Sequence, residues 1–217
     1  MGVQRIERSV AKRLSLRVEH LVNRVVPNKR KGDDGVRVSE LKSTRGPALK
    51  ECNALNSSGV AIIRQIAEEV SARIKDETGV NEQDMFTKDT APPVAIFDYF
   101  SRLARYINVW RGHSGGAESA GVRAAVMAMV YLDRLMNTGY TVNSMNVHRL
   151  AMVGFLLATK MTEDTPIGNQ FWAKVGGVPN KEVNLLEREF CRLINFELHI
   201  DENEYLHMLD QFNLPEF

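Results

Sequence analysis

Residues 146–163, Asn-Val-His-Arg-Leu-Ala-Met-Val-Gly-Phe-Leu-Leu-Ala-Thr-Lys-Met-Thr-Glu, constrain the fold more than any other stretch of the chain. Leu150, Val153, Leu157 and Met161 recur three or four residues apart, which makes one face of a helix apolar. Ala151, Gly154 and Ala158 add small surfaces against which other helices can pack closely. Asn143 or Ser144 is placed to cap the start by accepting from free backbone N–H groups, and Pro166 stops the helix from running past Asp164. The apolar run 150–159 is too short for a bilayer, which takes about 20 residues to cross. Such a helix has to be enclosed by other helices, and it ends in a charged rim formed by Lys160 and the acids that follow.

The chain has 217 residues, 44% of them hydrophobic and 25% charged, enough for one well-filled core with extensions. Cys52 and Cys191 are too few and too far apart for a disulfide framework or a thiolate metal site, which points to a reduced, intracellular protein. No secretory start precedes Val10, so the nucleus or the cytoplasm is expected. The net charge of +1 hides a division. Residues 1–50 carry 13 Lys/Arg against 5 Asp/Glu, whereas residues 51–217 carry 15 against 22.

Ile6, Val10, Leu14, Val18, Leu21 and Val25 form a helical stripe flanked by arginines. The reading favoured for it is a helix packed on the main domain, ahead of a membrane-surface or nucleic-acid arm. Pro27 ends it, and 28–46 is linker, with a basic triplet at 29–31 that reads as a solvated cluster before it reads as an import signal. A second helix is predicted over 60–75, capped by Ser57 or Ser58, with Ile63, Ile66, Ala67, Val70 and Ile74 inward. Pro92 and Pro93 mark the start of the main domain. Beyond them every segment has helical periodicity, over 94–110, 118–136, 146–163, 169–174, 181–194 and 202–212, and none alternates as a half-buried strand would. The segment 118–136 is apolar nearly all round and is expected at the centre. The predicted organisation is a basic helix and linker over 1–52, a helical extension over 53–91, the main bundle over 92–200 and a short helix over 201–217.

Gly112-His113-Ser114-Gly115-Gly116 matches the hydrolase nucleophile pattern, but a helix is predicted before it where that chemistry needs a strand-to-helix turn. The five histidines show neither metal-ligand spacing nor clustering with cysteine, and there is no phosphate-cradling loop, so no metal, cofactor or catalytic residue is expected. Arg102, beside Leu103 in one helix, and Asp133, closing the next, are expected to form an internal ion pair. Lys160 and Glu187 each stand at the edge of an apolar helix instead of on a plainly solvated face.

Taken in order, Phe97-Asp-Tyr-Phe-Ser-Arg102, Tyr131-Leu-Asp-Arg134, Asn146-Val-His-Arg149, Ala158-Thr-Lys160, Trp172-Ala-Lys-Val-Gly-Gly177 and Leu186-Glu187 resemble a cyclin box, and most of all the P/U-type cyclins, the group of the yeast phosphate-signalling cyclin. The resemblance covers about 92–198. It implies an all-α, five-helix bundle that catalyses nothing itself and activates a cyclin-dependent protein kinase. An inhibitor protein is a further partner class, and no membrane partner is implied. It matches Lys160 and Glu187 to the family's kinase-binding charges, Met161 and Phe196 to its apolar contact positions, Cys191 to a contact position where leucine is more usual, and Arg102 and Asp133 to its internal ion pair. Where many cell-cycle cyclins carry an apolar docking patch, this chain has Ser101, Arg105 and Asn108, and a single box is expected. The rival reading is a cyclin-box module in transcription, with the basic arm on nucleic acid; salt-sensitive DNA binding would favour it.

Overall fold

The computed structural model describes residues 55–74, 84–111 and 119–211. The chain divides into two units, 1–50 and 51–217, and every described residue belongs to the second. The predicted basic helix over 6–25, the linker, the basic triplet and Cys52 therefore lie outside the described residues. All regular structure among the described residues is helical: α1 (Ser57–Arg73), α2 (Ile96–Arg111), α3 (Ala120–Asn137), α4 (Val147–Thr162), α5 (Asn169–Gly176), α6 (Asn180–Leu193) and α7 (Glu202–Gln211). The all-α expectation is met, and α2 to α6 are the five predicted helices of the bundle.

The most extensive packing joins α3 to α4, with α2 and α1 against α3, α6 and α5 against α4, and α7 against the far side of α3. Every residue of α4 from 147 to 159 is buried, as is the α3 run 124–132. The centre is thus a pair of helices, not α3 alone. Small residues let that pair approach: a Cβ on Gly154 would already sit 3.1 Å from the Ala128 methyl. At the crossing of α2 and α3 the approach is closer still, because Gly121 faces the Ala104 backbone.

The predicted caps are only partly correct. Asn56, not Ser57 or Ser58, caps α1 by accepting from the Gly59 N–H at 3.0 Å. Its side chain is positioned by the Ser58 hydroxyl, which donates to it at 2.8 Å. At the start of α4 neither Asn143 nor Ser144 caps through its side chain; buried Asn146 instead ties the incoming loop, accepting from Asn143 N–H at 2.9 Å and donating to the Thr141 carbonyl at 3.0 Å. α5 ends as predicted, with Gly177 at φ 67°, a left-handed position that glycine adopts without a Cβ clash.

The expected Arg102–Asp133 pair does not form. Asp133 is bonded by Arg73, from the end of α1, and Arg102 is exposed. Burial pushes the Asp133 carboxyl above its ordinary pKa, and the Arg73 charge opposes that shift. Arg73→Ala is therefore expected to cost about 1–2 kcal/mol by leaving a partly buried carboxylate without its charged donor. Arg102→Ala should leave stability unchanged, and urea unfolding of the two variants distinguishes them. Ser101 and Asn108 are buried as well, Asn108 donating to Ser119 Oγ at 3.1 Å and accepting from Gly121 N–H at 2.7 Å. Of the three residues noted in place of the family's apolar docking patch, only Arg105 is on the surface.

Candidate functional site

The last turn of α4, the start of α5 and one edge of α6 converge on a single charged cluster. Lys160 Nζ donates to Glu187 Oε1 at 2.5 Å, and the two side chains keep only 12% and 7% of their surface exposed. Asn169 Nδ2 donates to the second carboxylate oxygen at 2.7 Å and to Asn184 Oδ1 at 2.7 Å. Both oxygens of Glu187 are thus engaged, while Lys160, with three N–H donors, spends one on the carboxylate. The cluster can therefore offer donors outward without exposing an uncompensated charge. Asn169 and Asn184 were not singled out from sequence; the three-residue interval from Asn184 to Glu187 on α6 was the available signal.

Cys191, one turn beyond Glu187 on the same face of α6, is buried. Burial first, and the Glu187 charge second, push its thiol pKa up to about 12. Since the thiolate is the reactive form, alkylation of Cys191 in the folded chain should be about 100-fold or more slower than that of a free cysteine near pH 8. Its rate should still be rising with pH beyond the plateau of an ordinary thiol. Peptide-level mass spectrometry after timed labelling measures this, and a plateau near pH 9 would contradict it.

Beyond α6 the chain reverses through Asn195 and Phe196, at φ 51° and 58°. Few non-glycine residues take this left-handed conformation, because the Cβ crowds the backbone. The turn is held from several sides. Phe196 N–H donates to the Cys191 carbonyl at 2.7 Å, and the Tyr131 hydroxyl to the Leu198 carbonyl at 2.8 Å. Arg134 donates to the carbonyls of Glu197 and His199 and grips Glu204 of α7. The result is a large apolar ring, Phe196, left 44% exposed beside Cys191. Met161, next to Lys160, is partly buried against the core.

Lys160, Glu187, Met161, Cys191 and Phe196 thus belong to one rim, built from the ends of α4 and α6 and the turn that follows. Asp133 and Arg134 act behind it, Asp133 toward α1 and Arg134 toward α7. Sequence reasoning missed a second polar cluster on the side of α4's first turn. There, buried Arg149 bonds Glu182 and donates to the Met85 carbonyl at 2.5 Å, which seats Phe86 fully inside the core against Phe190 and Tyr140. Ser114 lies outside the described residues, and the described segment before it is the helix α2, not the strand that a nucleophile elbow requires. Among the described residues no three His, Cys, Asp or Glu side chains group as metal ligands, and no helix is long and apolar enough to cross a membrane.

The helical bundle and its rim define a cyclin box, and the cyclin family model matches residues 54–198; the chain belongs to the cyclin family. The match takes in α1, which the sequence reading had set outside the box. Among relatives, the chain is 33% identical to Cyclin-U2-2 of Arabidopsis thaliana over 62% of this chain and 55% of that one. It is 30% identical to Cyclin-U1-1 of the same plant over 78% and 76%, and 33% identical to Cyclin-P4-1 of Oryza sativa subsp. japonica over 51% and 48%. The similarity is thus to U-type and P-type cyclins, and the chain spans about half the length of several of the relatives it matches. Cyclin family proteins regulate other proteins and are not themselves catalysts.

Proposed function

We propose that the chain binds and activates a cyclin-dependent protein kinase, and that the Lys160–Glu187–Phe196 rim receives the kinase's regulatory helix. The observation that carries this reading is a nearly buried cation–carboxylate pair beside a large exposed aromatic ring on a turn held in left-handed backbone. Phe196 supplies an apolar anchor, and the unspent Lys160 donors suit the free carbonyls of a helix end. Protein kinases need the lysine–glutamate pair involving their regulatory helix closed before phosphates are positioned. A rigid bundle that binds only the inward helix favours that state by its differential affinity, and moving a kinase from 1:99 to 99:1 takes about 5.5 kcal/mol. The charged pair then sets register more than affinity. The setting is cell-cycle or phosphate-signalling control, in the nucleus or cytoplasm.

The test is copurification of the chain from its own cells, followed by phosphotransfer assays on the captured kinase. The expected result is kinase activity that depends on the chain and falls at least about tenfold with the Lys160→Ala/Glu187→Ala double variant. Full activation by a folded double variant would refute the assigned rim.

A further inference from the structure

The outward face of α2 carries chemistry that the rim does not use. Arg102 and Arg105 are exposed, lie three residues apart, and have no ion-pair partner among the described residues, while Arg111 at the helix end is occupied by Glu163. Tyr106 and Trp110, one turn apart on the same face, lean edge-on against Phe171 of α5, with centroids 6.0 and 5.3 Å apart. Trp110 keeps 54% of its surface in solvent. Lys174, one turn along α5 from Phe171, adds a third exposed cation without an ion-pair partner among the described residues. Nothing in the core asks for this. A ring as large as Trp110 left exposed on a helix that also carries two unpaired arginines is a surface suited to a partner with apolar and acidic groups.

We propose that this face docks a short acidic peptide segment of a partner protein, with a proline or aromatic residue seated on the Trp110–Phe171 ledge and carboxylates on Arg102, Arg105 and Lys174. Charge complementarity selects the occupant. The stripe from Arg102 to Trp110 is nine residues, about 12 Å of helix, and matches about four residues of extended peptide. Three cations over that length are too few for nucleic acid, where specific grip takes roughly 6–10 phosphate contacts, or for an anionic bilayer, which is read by basic clusters of about 4–8. Exposed Asp98, one turn before Arg102, repels acids from that end and directs them toward Arg105 and Lys174. α5 connects this ledge to the rim, since Asn169 bonds Glu187 and Phe171 supports Trp110. A docked segment would therefore lie next to whatever the rim binds, although the proposal stands whether or not that is a kinase.

The experiment uses the full chain and two fluorescein-labelled probes, a short peptide of aspartate and glutamate around a central Trp-Pro pair and its counterpart with lysine at every acid. Anisotropy should report binding of the acidic probe alone. Arg102→Glu/Arg105→Glu should weaken it by about tenfold or more and admit the lysine probe instead, and Trp110→Ala should weaken the acidic probe without changing its charge preference. These side chains are exposed, so both variants should melt with the wild type. If either does not, the two probes on wild-type protein still decide. Equal binding of both probes overturns the proposal. So does an affinity indifferent to charge reversal, equally tight binding of single-stranded DNA or anionic vesicles through the same arginines, or self-association of the chain through Trp110.

Discussion

Gly121→Ala is expected to lower the melting temperature by about 6–12 °C. A Cβ there would lie 2.3 Å from the Ala104 carbonyl oxygen and 2.9 Å from its Cα. Those are backbone atoms in the middle of α2, so no side chain can rotate away. The helices must part, and parting them breaks the bond from Gly121 N–H to Asn108 and loosens the buried stripe of Phe100, Leu103 and Ile107. Overpacking a well-filled core costs about 1–3 kcal/mol, with backbone contacts at the upper end, and each kcal/mol is worth about 2–4 °C in a chain of this size. Gly168→Ala is the control: no atom lies within 4 Å of its Cβ position and its φ of −69° is ordinary, so thermal melts should place it with the wild type.

Phe196→Ala should have the largest effect on the proposed kinase complex. An aromatic anchor at the centre of an interface contributes about 2–4 kcal/mol, which converts to an affinity loss of about 30- to 700-fold. Alanine keeps the Cβ and therefore the same left-handed crowding, and the ring is 44% exposed in the free chain, so the variant should melt close to the wild type. Binding to the purified kinase by surface plasmon resonance, alongside a melt, separates the two effects. An affinity within twofold of wild type would mean that the ring is not the anchor.

The parts of this molecule legible in sequence are those fixed by local periodicity and turn chemistry. The six predicted helices beyond Pro93, the enclosure of α3 and α4, and the stop at Gly177 follow from which residues recur every third or fourth place and which backbone can turn left-handed. Polar pairing was not legible in the same way. Arg73 and Arg102 both sit beside apolar residues on helices that touch α3, and the tertiary packing that brings Arg73 to Asp133 is not written in local periodicity. The burial of Asn108 and Ser101 was not legible either, because both are polar. Yet Asn108 lies one turn from buried Ala104, a spacing that placed it inward, and its partners Ser119 and Gly121 come from the start of the next helix. Residues 84–88 were passed over for a related reason. Phe86 and its neighbour Met85 are a lone apolar pair in a polar segment, and the burial of Phe86 depends on Arg149 and Tyr140, far along the chain.

At the rim, the sequence singled out Lys160 and Glu187, and the structure shows how the two are held together. Lys160 and Glu187 were expected as a charged pair matched to the family's kinase-binding residues, without Asn169 or Asn184 beside them. They bond each other, and Asn169 takes the free carboxylate oxygen, which is why so much charge can remain nearly buried in the unbound chain. The pair is thus already organised in the unbound chain, which leaves the remaining lysine donors and the Phe196 ring for the proposed partner.

Hydrogen–deuterium exchange on the kinase and this chain, apart and together, tests that arrangement most directly. The account predicts slowed exchange in the kinase's regulatory helix, matched on this chain by the end of α4, by α6 and by the turn through Phe196, with α7 unchanged. Protection confined to α7 or to the outward face of α2, with the Lys160–Glu187–Phe196 rim exchanging as it does alone, would contradict it.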